Sequence, residues 1–251
     1  MNPYFVEKIF PTTWKITEGL GKEAVYMYLL EGENRCMFLD TGYGEIPLTS
    51  IIRSLSRKPL IVVLSHGHFD HIGGVRFFSE AYISKDELET FKINSAILKY
   101  QEDLARVSIK NLEIFSGELV PIDLGNRKIS IIPVPGHTPG SICCFDSESH
   151  NIFTADTCCK GDVLLCMKTS TPLGTYSDSI NRLISIEPHI NKRWPAHHDA
   201  PLNTMIFHEY REALDVMLSG KAKLEKTVCF GRKALRFKYR DIGIVINNEE
   251  Q

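Results

Sequence analysis

Three histidines and one aspartate lie within six consecutive positions of the stretch LSHGHFDHIGG, residues 64–74. They are His66, His68, Asp70 and His71. Imidazole nitrogens and carboxylate oxygens bind divalent metal ions, whereas crowded groups of this kind stabilise nothing structural when no ion is present. Because two of the histidines can point to one side of an extended loop while Asp70 and His71 lie further along, the spacing predicts two metal ions.

The apolar run before these residues indicates where they lie in the fold. Residues 60–65, LIVVLS, are typical of a strand, so the four side chains follow the carboxyl end of a strand, where α/β proteins commonly carry their chemistry. Gly73 and Gly74 come directly after them and permit the tight turn and the close backbone approach that such crowding requires.

Strand-like and helix-like patterns alternate along the chain and predict a layered α/β fold. The strand-like runs are AVYMYLL (24–30), RCMFLD (35–40), LIVVLS (60–65), KISIIPV (128–134), ICCFD (142–146) and NIFTAD (151–156). The helix-like stretches lie near 46–57, 74–79, 86–106, 178–186 and 204–219. No repeat, low-complexity tract or linker-like break interrupts residues 1–251, so we expect a single domain.

Residues 85–120 are charged, amphipathic and long for a connection between two elements. We expect a helical insertion there, formed by a surface helix pair. The side chains expected to pack on the core are Leu88, Phe91, Leu98 and Leu104. A lid function is the alternative, because such a segment could also line the rim of the active site.

The composition argues against several classes of protein. The formal net charge is -2 and the lysines and arginines form no run, so we expect no nucleic-acid partner and disfavour a dedicated nuclease. No stretch is apolar enough to cross a bilayer and the N-terminus has no long apolar segment, so we expect no membrane partner. The seven cysteines include no C-x-x-C pair, which favours reduced thiols and a cytoplasmic location.

The motifs taken together resemble those of the metallo-β-lactamase-fold superfamily. The first motif of that superfamily, H-x-H-x-D-H, reads here HGHFDH, residues 66–71. The later motifs follow in order as PVPGHTPGS with His137, IFTADT with Asp156 and WPAHHDAP with His197, and FLDTG around Asp40 resembles an early strand and turn. The resemblance spans about residues 25–200, and the combination in this order is specific although each short motif alone is weak.

This resemblance implies an αββα sandwich, in which two mixed β-sheets lie back to back with helices outside and a dinuclear metal site lies at one edge. It also implies the ligands: His66, His68 and His137 for the first ion, Asp70, His71 and His197 for the second, and Asp156 as the bridge. Zinc is the first expectation for both ions. Manganese and iron are alternatives, because a site of nitrogen and oxygen donors accepts several metals.

Other residues near the motifs have different expected roles. Asp40 is a candidate for orienting a ligand imidazole, with a simple turn aspartate as the alternative. Of the adjacent pair His197 and His198, the family's proline-small-histidine pattern makes His197 the ligand and leaves His198 at the rim. Cys158 could face the metals but is expected to be a reduced core thiol. Thr138 and Ser141 are expected to satisfy backbone groups, and His150, His189 and His208 to have surface or packing roles.

The expected site predicts a hydrolytic mechanism. A water between two divalent cations loses a proton near neutral pH, and a metal ion also polarises the oxygen of the electrophile. The nucleophile would be a metal-bridging hydroxide. Asp70 could orient that hydroxide and later carry a proton to the leaving group.

The sequence departs at several positions from the patterns of known subfamilies of this fold, and these departures narrow the choice of substrate class. His71, where the best-known β-lactamases of this fold carry arginine, makes the chain look more like glyoxalase II and the acyl-homoserine lactonases. Cys159 replaces the tyrosine of the lactonases, and TCCKGDVLLC lacks the glycine- and arginine-containing segment typical of glyoxalase II and the related persulfide dioxygenases. Neither the lactonase nor the glyoxalase II activity can therefore be assigned from these motifs, and we expect more generally a small-molecule ester, thioester or lactone as substrate.

Two other classes of function stay open, together with the oligomeric state. The first is a phosphodiesterase or nuclease on the same scaffold. It is disfavoured because Lys160, Lys168 and Arg193, the basic residues near the motifs, are scattered along the chain. The second is a mono- or di-iron oxidase or dioxygenase, or a protein that binds metal without turnover, and only the identity of the metal would discriminate it.

Overall fold

The computed structural model describes residues 3–112, 114–115, 118–119 and 121–248, and the chain divides into two compact units. Unit 1 comprises Met1–Ile132 and Cys144–Ser149, and unit 2 comprises Pro133–Cys143 and His150–Gln251. The first ligand motif, residues 66–71, therefore belongs to unit 1. The later motifs, with His137, Asp156 and His197, belong to unit 2.

The main sheet of unit 1 is mixed, and its strands lie side by side in chain order. They are β1 (Tyr4–Phe10), β2 (Thr13–Glu18), β3 (Val25–Glu31), β4 (Cys36–Leu39), β5 (Leu60–Val63), β6 (Glu80–Ile83) and β7 (Ser108–Asn111). Strands β1 to β4 pair antiparallel, and β4 to β7 pair parallel. Because parallel neighbours end at the same edge of a sheet, the loops that follow β4 and β5 lie side by side.

Helices of unit 1 cover this sheet with apolar side chains. They are α1 (Leu48–Leu55), α2 (Phe69–Ile72), α3 (Leu88–Ser95) and α4 (Gln101–Leu104), with 3-10 turns at Gly21–Glu23, Val75–Phe77 and Lys85–Glu87. Leu48, Ile51, Ile52 and Leu55 follow the i, i+3, i+4, i+7 spacing and place one apolar stripe of α1 in a core cluster that includes Phe38. In a second cluster, Leu64 and Ile72, which flank the first ligand motif, pack with Leu104 of α4.

Shorter strands complete the described part of unit 1. β8 (Ile114–Phe115) pairs antiparallel with β9 (Glu118–Leu119), and β10 (Ile122–Asp123) pairs antiparallel with β11 (Lys128–Pro133). The next strand is β12 (Ile142–Asp146), and β11 and β12 each contribute residues to both units.

Unit 2 combines two groups of strands with two long helices. β13 (Asn151–Ala155) pairs parallel with β15 (Lys192–Pro195). A mixed sheet is formed by β14 (Gly161–Leu165), β18 (Ile242–Asn247), β17 (Arg232–Tyr239) and β16 (Glu225–Cys229) in that order. Helix α5 (Leu173–Ile186), followed by a 3-10 turn at Glu187–His189, packs against α6 (Ile206–Leu218), and buried Tyr176 and Tyr210 meet edge to face.

The prediction of an α/β fold is confirmed, since both units combine mixed sheets with helices. All six strand-like runs form strands, and ICCFD does so over its whole length. The stretch near 74–79 forms a single 3-10 turn instead of an α-helix. The N-terminal hairpin β1–β2 and the C-terminal strands β16–β18 were not predicted from the sequence. The outer strands β1 and β16 are largely exposed and carry the charged residues typical of sheet edges, whereas β18 is apolar and buried.

Residues 85–120 are helical only in their first part. Helices α3 and α4 end by Leu104, and the chain continues as β7, which extends the main sheet, so the expectation of a helical segment up to 120 was wrong. Phe91, Leu98 and Leu104 pack against the core as expected, but Leu88 is exposed. Among the described residues, no helix combines the length and the apolar character that spanning a membrane requires.

Candidate metal centre

The ligand loop of unit 1 begins where β5 ends. Strand β5 ends at Val63, and the chain then passes through Ser65 to His66 and His68 before α2 begins at Phe69. His66, His68 and His71 are all buried in spite of their polar rings. Buried imidazoles require polar partners, so the three histidines of this loop depend on hydrogen bonds or metal ions.

The donor atoms of this loop have the spacing of groups that share ions. Nε2 of His66 lies 3.1 Å from Nδ1 of His68, and Nε2 of His71 lies 3.8 Å from Oδ2 of Asp70. Two ligand atoms on one tetrahedral ion, with metal–nitrogen bonds of about 2.0–2.1 Å, lie about 3.3 Å apart. The rings of His66 and His71 have centroids only 4.0 Å apart. The pair His66 and His68 therefore lies close to the pair Asp70 and His71. The distance between the donor atoms within each pair is compatible with a shared divalent ion.

Asp40 orients two of these imidazoles, which supports its predicted role. It follows β4, whose parallel neighbour β5 leads to Ser65, and its Oδ1 accepts the Ser65 backbone N–H at 2.7 Å. Its Oδ2 accepts Nδ1–H of His71 at 2.9 Å and the Ser65 hydroxyl at 2.7 Å. Since that hydroxyl has one proton, its oxygen accepts Nδ1–H of His66 at 3.0 Å. Both histidines therefore present Nε2 as the ligand atom.

Ser65 is a candidate functional residue that the sequence patterns did not single out. It lies immediately before the first ligand and connects Asp40 with His66 through its hydroxyl. A hydroxyl residue between the end of a strand and a ligand histidine is the signal that could have identified it.

The end of α2 is held by close backbone contacts. Both the backbone N–H and the hydroxyl of Thr41 donate to the His71 carbonyl at 2.8 Å. A Cβ at Gly73 or Gly74 would collide with the carbonyl oxygens of Tyr43 and Thr41, respectively. This confirms the prediction that the two glycines allow a close backbone approach.

Adjacent parallel strands position two of the candidate ligands of unit 2. Ala155 of β13 pairs with Pro195 of β15, and the Ala196 N–H donates to the Ala155 carbonyl at 3.1 Å. Asp156 and His197 follow directly at the same edge. Ala155 has a positive φ of 46°, a strained backbone conformation of the kind that clusters at functional sites.

Asp156 faces a different imidazole with each of its oxygens. Oδ2 lies 3.5 Å from Nε2 of His137, and Oδ1 lies 3.5 Å from Nε2 of His197. Both distances are close to the separation of about 3.3 Å expected for two ligands of one tetrahedral ion. Within unit 2, the carboxylate can therefore share one ion with each histidine.

A backbone carbonyl fixes the orientation of His137. Its Nδ1–H donates to the Leu164 carbonyl oxygen at 2.8 Å, which leaves Nε2 as the ligand atom. The Ser141 hydroxyl oxygen accepts the Thr138 N–H at 3.2 Å, so Ser141 satisfies a backbone group as expected, and the Thr138 hydroxyl lies 2.6 Å from that of Ser141.

Two buried tyrosines hold the loop after Asp156. The Tyr176 hydroxyl donates to the Thr157 carbonyl at 2.6 Å, and the Tyr210 hydroxyl donates to the Cys159 carbonyl at 2.9 Å. Cys158 and Cys159 are buried in this loop, and burial raises the pKa of both thiols well above the usual range. Neutral thiols in the core are poor ligands, which agrees with the expected role of Cys158.

His198 diverges from its neighbour. Its φ of 64° turns the chain, its ring centroid lies 6.2 Å from that of His197, and its ring covers Gly161. Burial lowers the pKa of His198, and the charge of His197 lowers it further. Because His197 and not His198 lies beside Asp156 at 3.5 Å, the geometry is compatible with the predicted choice of ligand.

The basic residues near the motifs of unit 2 already have acidic neighbours. Arg193 is buried and pairs with Glu187 at 2.9 Å, and His208 contacts the same carboxylate at 2.7 Å. Lys160 lies 3.8 Å from Asp199. These contacts agree with the surface or packing role expected for His208, and they place Arg193 and Lys160 beside carboxylates.

Comparisons with known proteins agree with these motifs. A family model described as the metallo-beta-lactamase superfamily matches residues 20–220. The probable polyketide biosynthesis zinc-dependent hydrolase PksB of Bacillus subtilis is 27% identical over 180 residues, which cover 68% of this chain and 72% of that protein. The human acyl-coenzyme A thioesterase MBLAC2 is 24% identical over 188 residues, covering 64% of this chain and 67% of that protein. The hydroxyacylglutathione hydrolase GloC of Haemophilus influenzae is 26% identical over 165 residues, covering 61% and 74%.

Solved structures show the same fold. A metallo-beta-lactamase from Pontibacter korlensis is 16% identical, covers 85% of this chain and 99% of its own, and has a TM-score of 0.64. The DIM-1 metallo-beta-lactamase is 14% identical, and the match covers 86% of this chain and 99% of that chain with a TM-score of 0.66.

Proposed function

The chain belongs to the metallo-beta-lactamase superfamily, and we propose that it uses two metal ions to hydrolyse a small acyl thioester. The relatives reported above are named hydrolases, and the chain is an enzyme of the same kind, a metallo-hydrolase. The number of ions, the bridging ligand and the substrate class are the parts that we propose.

We assign the ligands in two sets that share one carboxylate. The first ion would be held by His66, His68 and His137, the second by Asp70, His71 and His197, and Asp156 would bridge them. Within each unit, the donor atoms lie 3.1–3.8 Å apart, which supports this assignment. Zinc is the first choice because PksB is named zinc-dependent, and manganese and iron are the competitors.

The position of Asp156 is the observation that carries the dinuclear proposal. A carboxylate that bound one ion would need only one oxygen near a histidine, whereas both oxygens of Asp156 lie 3.5 Å from separate imidazoles. Such a bridge also offsets part of the repulsion between two cations, which lie about 3.5–4 Å apart in two-metal hydrolases.

Asp70 is the residue to which we assign proton transfer. Its side chain is 15% exposed and lies 3.8 Å from Nε2 of His71, so water can reach it at the edge of the ligand loop. When bound, the two ions would supply a hydroxide nucleophile near neutral pH and polarise the acyl carbonyl. The carboxylate of Asp70 would orient the attacking water and deliver its proton to the sulfur as the carbon–sulfur bond breaks and the carbon–oxygen bond forms.

Two relatives favour a thioester over an oxygen ester or a lactone. MBLAC2 is named an acyl-coenzyme A thioesterase, and GloC is named for a hydroxyacylglutathione substrate. Cys159, at the position of the lactonase tyrosine, is a buried neutral thiol and cannot replace a phenol that contacts substrate. Hydrolysis of a phosphodiester is disfavoured because Arg193 and Lys160 already face carboxylates.

The test combines metal analysis with matched substrates on one preparation. Protein purified without chelators should contain two equivalents of divalent metal. Its kcat/KM should be larger for an acyl thioester than for the matched oxygen ester, lactone or bis-nitrophenyl phosphate, and His68→Ala should abolish the activity. A clear preference for the phosphate diester that His68→Ala abolishes would overturn the acyl proposal and favour the phosphodiesterase alternative. Iron with oxygen consumption would favour an oxidase.

We further propose that residues 1–251 form one domain and that the protein is cytoplasmic. The superfamily model spans residues 20–220 and so includes parts of both units, which supports a single domain. Cys166 donates to Sγ of Cys229 at 2.8 Å, and two free thiols this close would stay reduced only in a reducing compartment, which agrees with this proposal.

A further inference from the structure

Glu87 is a buried carboxylate whose role the metal-ligand assignment does not explain. It ends the 3-10 turn that leads into α3 and is fully buried, whereas Glu89, two residues on, is exposed. Burying a carboxylate on a surface helix is costly unless the group accepts hydrogen bonds. The partner of Glu87 therefore indicates its role.

One partner of Glu87 is the peptide between two candidate ligands. Oε2 of Glu87 accepts the backbone N–H of Gly67 at 2.8 Å. Gly67 lies between His66 and His68, whose facing nitrogens are 3.1 Å apart. The orientation of this peptide sets the directions in which the flanking side chains leave the chain. A carboxylate that fixes the peptide therefore also fixes how the two imidazoles converge.

The backbone of helix α3 also lies close to this peptide. A Cβ built on Gly67 would lie 2.5 Å from the backbone nitrogen of Phe91 and 2.9 Å from its Cα. These are backbone atoms that cannot rotate away, so only glycine allows this approach. The helix and the loop are thus in direct backbone contact at the position where Glu87 also binds.

We propose that Glu87 is a positioning residue and that α3, through Glu87 and Gly67, braces the His66–His68 loop for metal binding. This inference rests on the proposed metal centre. It assigns to the first part of residues 85–120 a role in supporting the ligands, in place of the lid function considered from the sequence.

The chain offers a clean spectroscopic probe of this contact. His66–Gly67 is the only His–Gly pair in the sequence. Labelling histidine with carbonyl ¹³C and glycine with ¹⁵N therefore produces a single carbonyl-coupled amide resonance, that of Gly67. In metal-free protein, we expect Glu87→Ala to move this amide proton to lower frequency and to accelerate its exchange with solvent. Glu89→Ala, which removes a glutamate side chain from the exposed face, should leave the resonance unchanged.

Metal affinity provides the second readout. Removing a partner that orients a ligand typically costs about 10-fold to 100-fold in metal affinity, and we expect this loss for Glu87→Ala in chelator competition. Glu87→Gln should restore most of the affinity, because its amide oxygen still accepts a hydrogen bond. Gly67→Ala should reproduce the loss, whereas Gly174→Ala, whose added Cβ would meet no atom within 4 Å, should match wild type. The absorption bands of bound Co²⁺ should shift in Glu87→Ala and return in Glu87→Gln.

Several outcomes would overturn the proposal. Metal affinity of Glu87→Ala equal to that of Glu89→Ala would remove the positioning role, as would an unchanged Gly67 resonance. If Glu87→Ala does not fold, Glu87→Gln decides the matter. Accelerated exchange of the Gly67 amide in that variant together with wild-type metal affinity would contradict the positioning role, because the contact would then be lost without consequence for the ions. None of these measurements needs a substrate, so a protein without thioesterase activity would lose the proposed function and keep this inference.

Discussion

The candidate ligands of the two units are organised in opposite ways. In unit 1, four of them come from one loop of six residues, 66–71, that follows a single strand. In unit 2, His137, Asp156 and His197 come from three loops that are far apart in the sequence. The pairing of β13 with β15 brings two of these loops to one edge. A compact motif can therefore be read from a sequence, whereas a dispersed one depends on strand pairing.

The groups that orient the ligands also differ between the two units. In unit 1, the side chains of Asp40 and Ser65 fix the imidazoles of His71 and His66. In unit 2, the Leu164 backbone carbonyl fixes His137. A side-chain partner can be removed by mutation but a carbonyl cannot, so unit 1 should be more sensitive to substitutions outside the ligand set.

The largest expected effect is the loss of metal when the proposed bridging carboxylate of unit 2 is removed, compared with the removal of a single ligand of unit 1. Asp156→Ala should lower the occupancy of both ions, because each oxygen is assigned to a different one, and activity should fall by at least about 10³-fold. His68→Ala should affect mainly one ion. Plasma mass spectrometry of both variants, prepared side by side, measures the difference. Two full equivalents of metal in Asp156→Ala would remove the bridging role.

The adjacent histidines of unit 2 test which of the two side chains binds a metal ion. His197→Ala should lose one equivalent of metal, because Nε2 of His197 lies 3.5 Å from Asp156. His198→Ala should keep both equivalents, since that ring turns away to cover Gly161. Equilibrium dialysis against zinc gives the stoichiometry of each variant. The reverse result, with metal lost only from His198→Ala, would exchange the two assignments.

A smaller loss of metal affinity is expected when a side chain that orients a ligand is removed, and it tests the difference between side-chain and backbone support. Asp40→Ala should weaken metal binding by about 10-fold to 100-fold, because it removes the acceptor that holds His71 and Ser65. Leu164→Ala leaves the carbonyl that holds His137 in place and should change metal affinity little. Competition with a chelating dye measures both constants, and thermal unfolding controls for folding. Equal losses in the two variants would contradict the distinction between side-chain and backbone support.

Local patterns predicted α1 and β12, whose burial is one-sided and nearly complete, respectively, but not the buried strand β18. The spacing of Leu48, Ile51, Ile52 and Leu55 predicted α1, and the apolar run ICCFD predicted β12 over its full length. Residues 85–120 were predicted less well, because β7 has mostly exposed residues and is a strand only through its pairing with β6. Leu88 was assigned to the core from its type, yet it lies on the exposed side of α3.

The sequence by itself determined the chemistry of the candidate centre, because ligand type and local spacing are properties of the chain. HGHFDH indicates metal ligands in any context that keeps it on one loop. The tertiary structure decided which groups support those ligands. Asp40 meets His71 because β4 and β5 are parallel neighbours, and Glu87 meets Gly67 because α3 packs against the loop. Such contacts join residues that are distant in sequence, and no local pattern specifies which buried carboxylate will accept which hydrogen bond.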